Sequence, residues 1–236
     1  MAITYDTSQL RNTSSLPITF TAFNAVAGQL VFVYVRYTSS PTSPTCTDTA
    51  GNTYTALTTL NDGSTYICSF YSILTASNAS NVVSTTNTSS TTPQLGAISV
   101  YSVSGGAFAF DAQAGAMPGF GVSPAATTIT TAAAGIIVGA SDAYYNNAGG
   151  DTVSTPTSFT SRASQASSGA NTAANIYDYI TSGSQSSLSV SSASSLGSGG
   201  NTRLGIKLAA FSSAPIPVLT GSLGQFDPEM RILGWF

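Results

Sequence analysis

Histidine is missing from all 236 residues, and charge of either sign is scarce, with six Lys and Arg against nine Asp and Glu. Without imidazole, Ser-His-Asp and Cys-His nucleophile systems are excluded, and acid–base chemistry would have to run on carboxylates. Six scattered basic residues within a net charge of −3 give no footprint for a phosphate backbone, so nucleic acid is not an expected partner. The longest small-apolar run, Ala132 to Ala140, is about half of the ~20 residues that a membrane helix needs. The N-terminus MAITYDTSQLRN lacks the basic start and apolar run of a signal peptide. No membrane partner is expected, and the chain reads as soluble and made in a cytoplasm.

Cysteine is also sparse, with only Cys46 and Cys68. A disulfide between them would contribute roughly 3 kcal/mol by chain entropy. The missing secretion signal favours reduced thiols instead, and Cys68 shares a strand face with Tyr66, Phe70 and Leu74, where burial as a small hydrophobe accounts for it. Two thiols and no His leave too few soft ligands for a metal site, so neither metal nor cofactor is expected. Three N-x-S/T sequons, at Asn12, Asn78 and Asn87, would matter only after secretion.

What is abundant is Ser, Thr, Ala and Gly, with 42% hydrophobic and 10% aromatic residues. That apolar share is enough to offset ordering entropy, so the chain should fold. Its length suits one large all-β domain or two small ones, burying about 70–75% of the unfolded surface.

Helical periodicity is absent almost throughout, and short β-rich runs recur between Gly, Asn, Ser or Pro. The spacing predicts an all-β fold, a single antiparallel β-sandwich of jelly-roll or Ig-like type, over residues 1–211. Gln29–Tyr37 is apolar on both faces and reads as a central, doubly covered strand. Ala50-Gly51-Asn52 reads as a hairpin turn between two Thr-rich runs. Further strands are expected at Thr65–Leu74, Asn81–Thr86, Leu95–Val103, Thr127–Thr131, Gly135–Asp142, Ser158–Arg162, Ala174–Ile180, Ser187–Ser192 and Arg203–Phe211. The last carries Leu204, Ile206, Leu208 and Ala210 on one face and Arg203, Lys207 and Ala209 on the other, which predicts one wet face. Gly105–Pro124 reads as a long crossing loop or a boundary between sub-sheets. The loop is favoured, because neither half looks able to close a sandwich alone.

Residues 212–236 form a linker and anchoring peptide. Pro215 and Pro217 keep the linker extended. Asp227 can cap a short helical turn with Pro228 at its first position, Glu229 at the positive end and Gly234 as the stop. A helix this short must dock to persist, and it would present Phe226, Met230, Leu233, Trp235 and Phe236. Docking on a neighbouring subunit is favoured over docking on its own domain, because the linker has reach and the host surface shows no groove in sequence. Burying each large side chain is worth roughly 1.5–3 kcal/mol, enough for five to outweigh the ordering cost.

Nine acids are available for other chemistry: Asp6, Asp48, Asp62, Asp111, Asp142, Asp151, Asp178, Asp227 and Glu229. Asp48, Asp62, Asp142 and Asp151 lie beside turn residues, where backbone capping is their ordinary use, so no catalytic residue is assigned and no enzyme is expected. The segment Ser141–Asp151 combines aromatic, amide and carboxylate side chains in a loop. It supplies the candidate glycan-binding set Asp142, Tyr144, Tyr145, Asn146 and Asn147, against a plain turn-forming role for the same residues.

The order of a hydrophobic strand (LVFVYV), a Thr/Ser/Pro loop, a D-x-x-G-N-x-Y segment (Asp48, Gly51, Asn52, Tyr54), an aromatic strand (YICSFYSIL), AISVYSVSGG and a closing strand ending at Ala209–Phe211 resembles a known group of domains. These are the β-sandwich domains of bacteriophage structural proteins, such as capsid decoration and tail proteins, and of bacterial surface proteins, with similarity over roughly residues 25–211. The resemblance implies a non-enzymatic, multi-copy virion protein on the particle exterior, assembled in the host cytoplasm, with copies of itself and other virion proteins as partners. The alternative is a glycan-binding adhesin or tail-fibre domain at the cell surface, with a cell-surface glycan as partner.

Overall fold

The computed structural model describes residues 2–88, 93–119, 121–145, 150–167, 172–196 and 202–215. The chain first contributes β1 (Ala2–Asn12), β2 (Ile18–Thr19), β3 (Phe23–Ala25), β4 (Leu30–Tyr37), β5 (Thr45–Asp48), β6 (Thr55–Ala56), β7 (Leu60–Asn61), β8 (Tyr66–Ile73), β9 (Asn78–Asn81), β10 (Val83–Thr86) and β11 (Pro93–Ser104). It then contributes β12 (Gly106–Ala116), β13 (Ala125–Thr131), β14 (Gly135–Tyr145), β15 (Thr160–Gln165), β16 (Ala173–Thr181), β17 (Gln185–Ser192) and β18 (Thr202–Pro215). The all-β expectation holds: the described residues contain strands and no helix, and the strand ladders are antiparallel.

These strands stack in four layers. Two large sheets, β1-β11-β4-β8-β6 with β7 beside β8, and β12-β18-β14-β16-β15, face each other in the middle. The outer layer of the first half is made of β2-β10-β5 and β3-β9, and that of the second half is β13-β17. Three apolar clusters fill the spaces. One lies under each outer layer, and one lies between the large sheets, where Phe32, Tyr34 and Tyr101 meet Val138, Ile176 and Phe211. All eight residues of β4 are buried, as its two-faced apolar sequence predicts, because Val31, Val33 and Val35 point into one cluster and Phe32 and Tyr34 into the next.

The two halves wind alike. In each large sheet the first strand of the half pairs with the last, and the last pairs with a long, largely buried strand: β1-β11-β4 and β12-β18-β14. This is a jelly-roll type of winding, made twice. A proline, Pro17 or Pro124, precedes the first outer strand of each half. A register shift falls at an aspartate next to an aromatic residue in both opening strands, after Tyr5 in β1 and after Phe110 in β12, opposite Tyr101 and Phe211. β11 packs near β16, and β18 near β8, so equivalent strands of the two halves meet in the self-complementary manner of a two-fold interface.

Three sequence expectations are corrected by this arrangement. Gly106–Ala116 is a strand, not part of a loop, and Gly105, at φ +68°, is the one-residue turn that separates the halves. Its small residues reflect close packing: a Cβ on Gly115 would lie 2.5 Å from Leu60 Cδ1. Each half therefore closes a two-layer stack of its own. The strand ending at Phe211 runs on to Pro215 and has no wet face. Leu204, Ile206, Leu208 and Ala210 face the outer cluster of the second half, while Ala209 and Phe211 face the central one and Lys207 is 1% exposed. Finally, Ala50-Gly51-Asn52 is not a hairpin turn, since β5 pairs with β10 in the outer layer and β6 with β8 in the large sheet. It is a corner between layers.

At the centre of the seam, Arg36 on β4 donates to Asp142 Oδ2 on β14 at 2.7 Å, with both side chains fully buried. Tyr34 OH donates to Oδ1 at 2.7 Å, and Arg36 also reaches the Arg203 carbonyl and Thr65 Oγ1. Removing one partner of such a pair leaves an uncompensated charge, which typically costs about 3–5 kcal/mol, whereas replacing both with apolar residues is often near neutral. Asp142→Ala is expected to lose that much in urea unfolding, and Arg36→Met with Asp142→Leu to recover most of it. Strictly additive losses in the double variant would refute the coupling.

Candidate functional site

Sparse charge makes the position of each ionisable group informative, and the described ones are largely drawn into the interior. Four of the six basic residues lie along the seam. Besides Arg36, Arg162 forms a two-pronged pair with Asp178 (2.6 and 3.0 Å) while stacking over the Tyr5 ring at 4.6 Å. Arg203 pairs with Asp62 at 2.7 Å. Lys207 donates to the Thr58 carbonyl (2.9 Å) and to Gln113 Oε1 (2.8 Å), and burial pushes its pKa down to about 8. Each of these contacts runs between the halves or braces a residue that does.

The remaining described carboxylates hold turns. Asp151, fully buried, accepts from the hydroxyls of Ser194 and Ser195. Asp111 accepts the Ala132 N–H at 2.9 Å. Asp48, the first residue of the D-x-x-G-N-x-Y segment, accepts the Asn52 N–H and Nδ2, Asn81 Nδ2 and Tyr54 OH at 2.8–3.2 Å. Asn52 Oδ1 in turn takes the Thr75 and Ala76 N–H groups, and Asn81 Oδ1 takes that of Ala50. The segment is thus a polar knot that ties the β5 corner to β9, with Gly51 at φ +78° making the turn.

The candidate glycan set is not brought together at the surface by the described residues. Ser141–Tyr145 belongs to strand β14 rather than to a loop, and Asp142 is fully buried with both oxygens engaged by Arg36 and Tyr34. Its carboxylate has nothing to offer an external sugar. Tyr144 is half-buried, its ring 5.9 Å from the Arg36 guanidinium. Tyr145 closes the strand, and its side chain, with Asn146 and Asn147, lies outside what the structure describes. The anchoring set Phe226, Met230, Leu233, Trp235 and Phe236 also lies outside the described residues.

Cys46 and Cys68 are free, buried and part of the same apolar cluster as Phe70 and Leu74. Burial pushes both thiols up, which makes them poor nucleophiles.

The described residues thus form an antiparallel double stack with most of their charged side chains turned inward. No protein-family model, curated protein or solved structure matches the chain.

Burial alone would push the Asp48 carboxyl up, but its bonds from Asn52, Asn81 and Tyr54 outweigh burial and hold it below the usual value. The unfolded chain, with an Asp pKa near ~3.9, therefore takes up the proton first as pH falls. Asp48 contributes stability above about pH 4 and loses it as pH drops through the folded pKa. Unfolding free energies of wild type and Asp48→Asn measured against pH should converge on acidification. A constant gap would show that the knot does not hold the carboxylate ionised.

Proposed function

We propose that the chain is a non-enzymatic structural subunit of a bacteriophage particle, carried on its exterior as a decoration protein and anchored to neighbouring virion subunits by its C-terminal peptide. The observation that carries this reading is the inversion of polarity between the seam and the outer layers. Arg36, Arg162, Arg203 and Lys207 are consumed in internal contacts. The outward faces present uncharged hydroxyls: Thr19, Thr45, Thr47 and Thr86 in the first half, and Thr128, Thr130, Ser186, Ser189 and Ser191 in the second. Two doubly covered large sheets welded back to back favour rigidity over hinge motion, which suits a part that bears load and performs no chemistry. The described carboxylates are held by donors of the same chain, and a glycosidase-like pair would need two facing each other across open space.

The strand preceding the tail ends at Pro215, paired with Gly106 beside the Gly105 turn, so the apolar peptide leaves from the junction of the halves. Deletion of Gly221–Phe236 is expected to leave the unfolding midpoint unchanged and to abolish co-sedimentation with particles. Normal incorporation of the shortened chain would overturn the anchor. A particle-free cell-surface protein with the same peptide would point to the adhesin reading instead.

A further inference from the structure

The two halves are equivalent at their opening bulges but differ above them. Asp111 reaches the turn before β14 directly, through the Ala132 N–H. Asp6 reaches the matching turn before β4 through Gln29, whose Nε2 donates to Asp6 Oδ2 at 2.9 Å and whose Oε1 accepts the Val26 N–H at 2.8 Å. In the second half the covering strand β13 is continuous over seven residues and packs along β12. In the first half the corresponding stretch is broken into β2 and β3, and the break leaves a cleft of about 400 Å³ floored by Val100.

The chemistry of this cleft is unlike the rest of the surface. Ser102 Oγ and Gln29 both donate to Asp6 Oδ2, which holds that oxygen in place. Among the described residues nothing donates to Oδ1, and the Thr7 hydroxyl and the exposed Asn24 amide make no hydrogen bond. Phe23, half-buried against the outer cluster, forms a wall. A preoriented acceptor, an amide that both donates and accepts, a free hydroxyl and an aromatic face are the groups that recognise vicinal hydroxyls and the C–H face of a sugar ring. The cleft is lined by Asp6 and by no Lys or Arg, which disfavours anionic ligands. We propose that the Asp6–Asn24 cleft binds a neutral saccharide, with adjacent hydroxyls on Asp6 Oδ1 and the Asn24 amide and the ring against Phe23. This goes beyond the assembly role and stands independently of it.

The test uses the full chain with D-galactose, D-mannose, N-acetylglucosamine, maltotriose and sialyllactose, screened by saturation-transfer NMR, and the best binder titrated by calorimetry. At least one neutral sugar should bind, sialyllactose more weakly, and Asn24→Ala and Asp6→Asn should each weaken binding about tenfold or more, as truncating a hydrogen bond to a charged or fully engaged partner does. The exposed Asn24 side chain makes no hydrogen bond among the described residues, so the unfolding midpoint of Asn24→Ala should stay at the wild-type value. The proposal is overturned if none of the neutral sugars binds, if both variants keep wild-type affinity, or if Tyr144→Ala abolishes binding while Asn24→Ala does not.

Discussion

A guanidinium and a carboxylate held 2.7 Å apart without access to water set the terms for the rest of this molecule. Desolvating two charges is tolerable only where geometry and further hydrogen bonds compensate. Here Tyr34, Thr65 and the Arg203 carbonyl provide those bonds. The Tyr34 and Arg203 carbonyl bonds form only if β4 lies over β14, so the pair acts as a registry device between two otherwise slippery apolar sheets. Arg162, over the Tyr5 ring, and Lys207, on the Thr58 carbonyl, add further contacts between the halves. Charge in this chain is scarce, and what there is fixes how the halves sit on each other.

Much of the sandwich was legible because its core strands are extreme. The two-faced run at Leu30–Tyr37 and the alternating runs at Tyr66–Ile73 and Thr202–Phe211 are apolar enough to be read without context. The doubling was not legible. Arg36 and Asp142 occupy matching places in β4 and β14 with opposite charges, and Gly139 stands where the first half has Val33, so equivalent positions share burial rather than identity. β12 escaped notice because Ala and Gly dominate it, a composition that close packing on Leu60 and β18 requires and that local propensity penalises.

Asp142 was misplaced for a related reason. Asp142 follows a buried strand and precedes Tyr-Tyr-Asn-Asn, which resembles a decorated loop, yet the strand simply continues through it. The Asp6 cleft depends on a register shift and on a missing length of covering strand, features of pairing that no short stretch of sequence records. The D-x-x-G-N-x-Y segment carried a correct local message, a tight turn around Gly51, and an incorrect global one, because a corner between layers uses the same residues as a hairpin.

The pairing of first strand with last has a consequence for how the chain acquires its shape. β1 finds its partner only once residues up to Ser104 exist, and β12 only once residues up to Pro215 exist. Contacts at such sequence separation carry a large loop-closure cost and slow folding. During synthesis β4, apolar on both faces, emerges well before β11 arrives beside it, so the nascent first half exposes a sticky, unpaired edge for most of its translation. The Gly105 turn places that half's closing strand immediately before the next half begins, so the first stack can seal before the second competes for its surfaces.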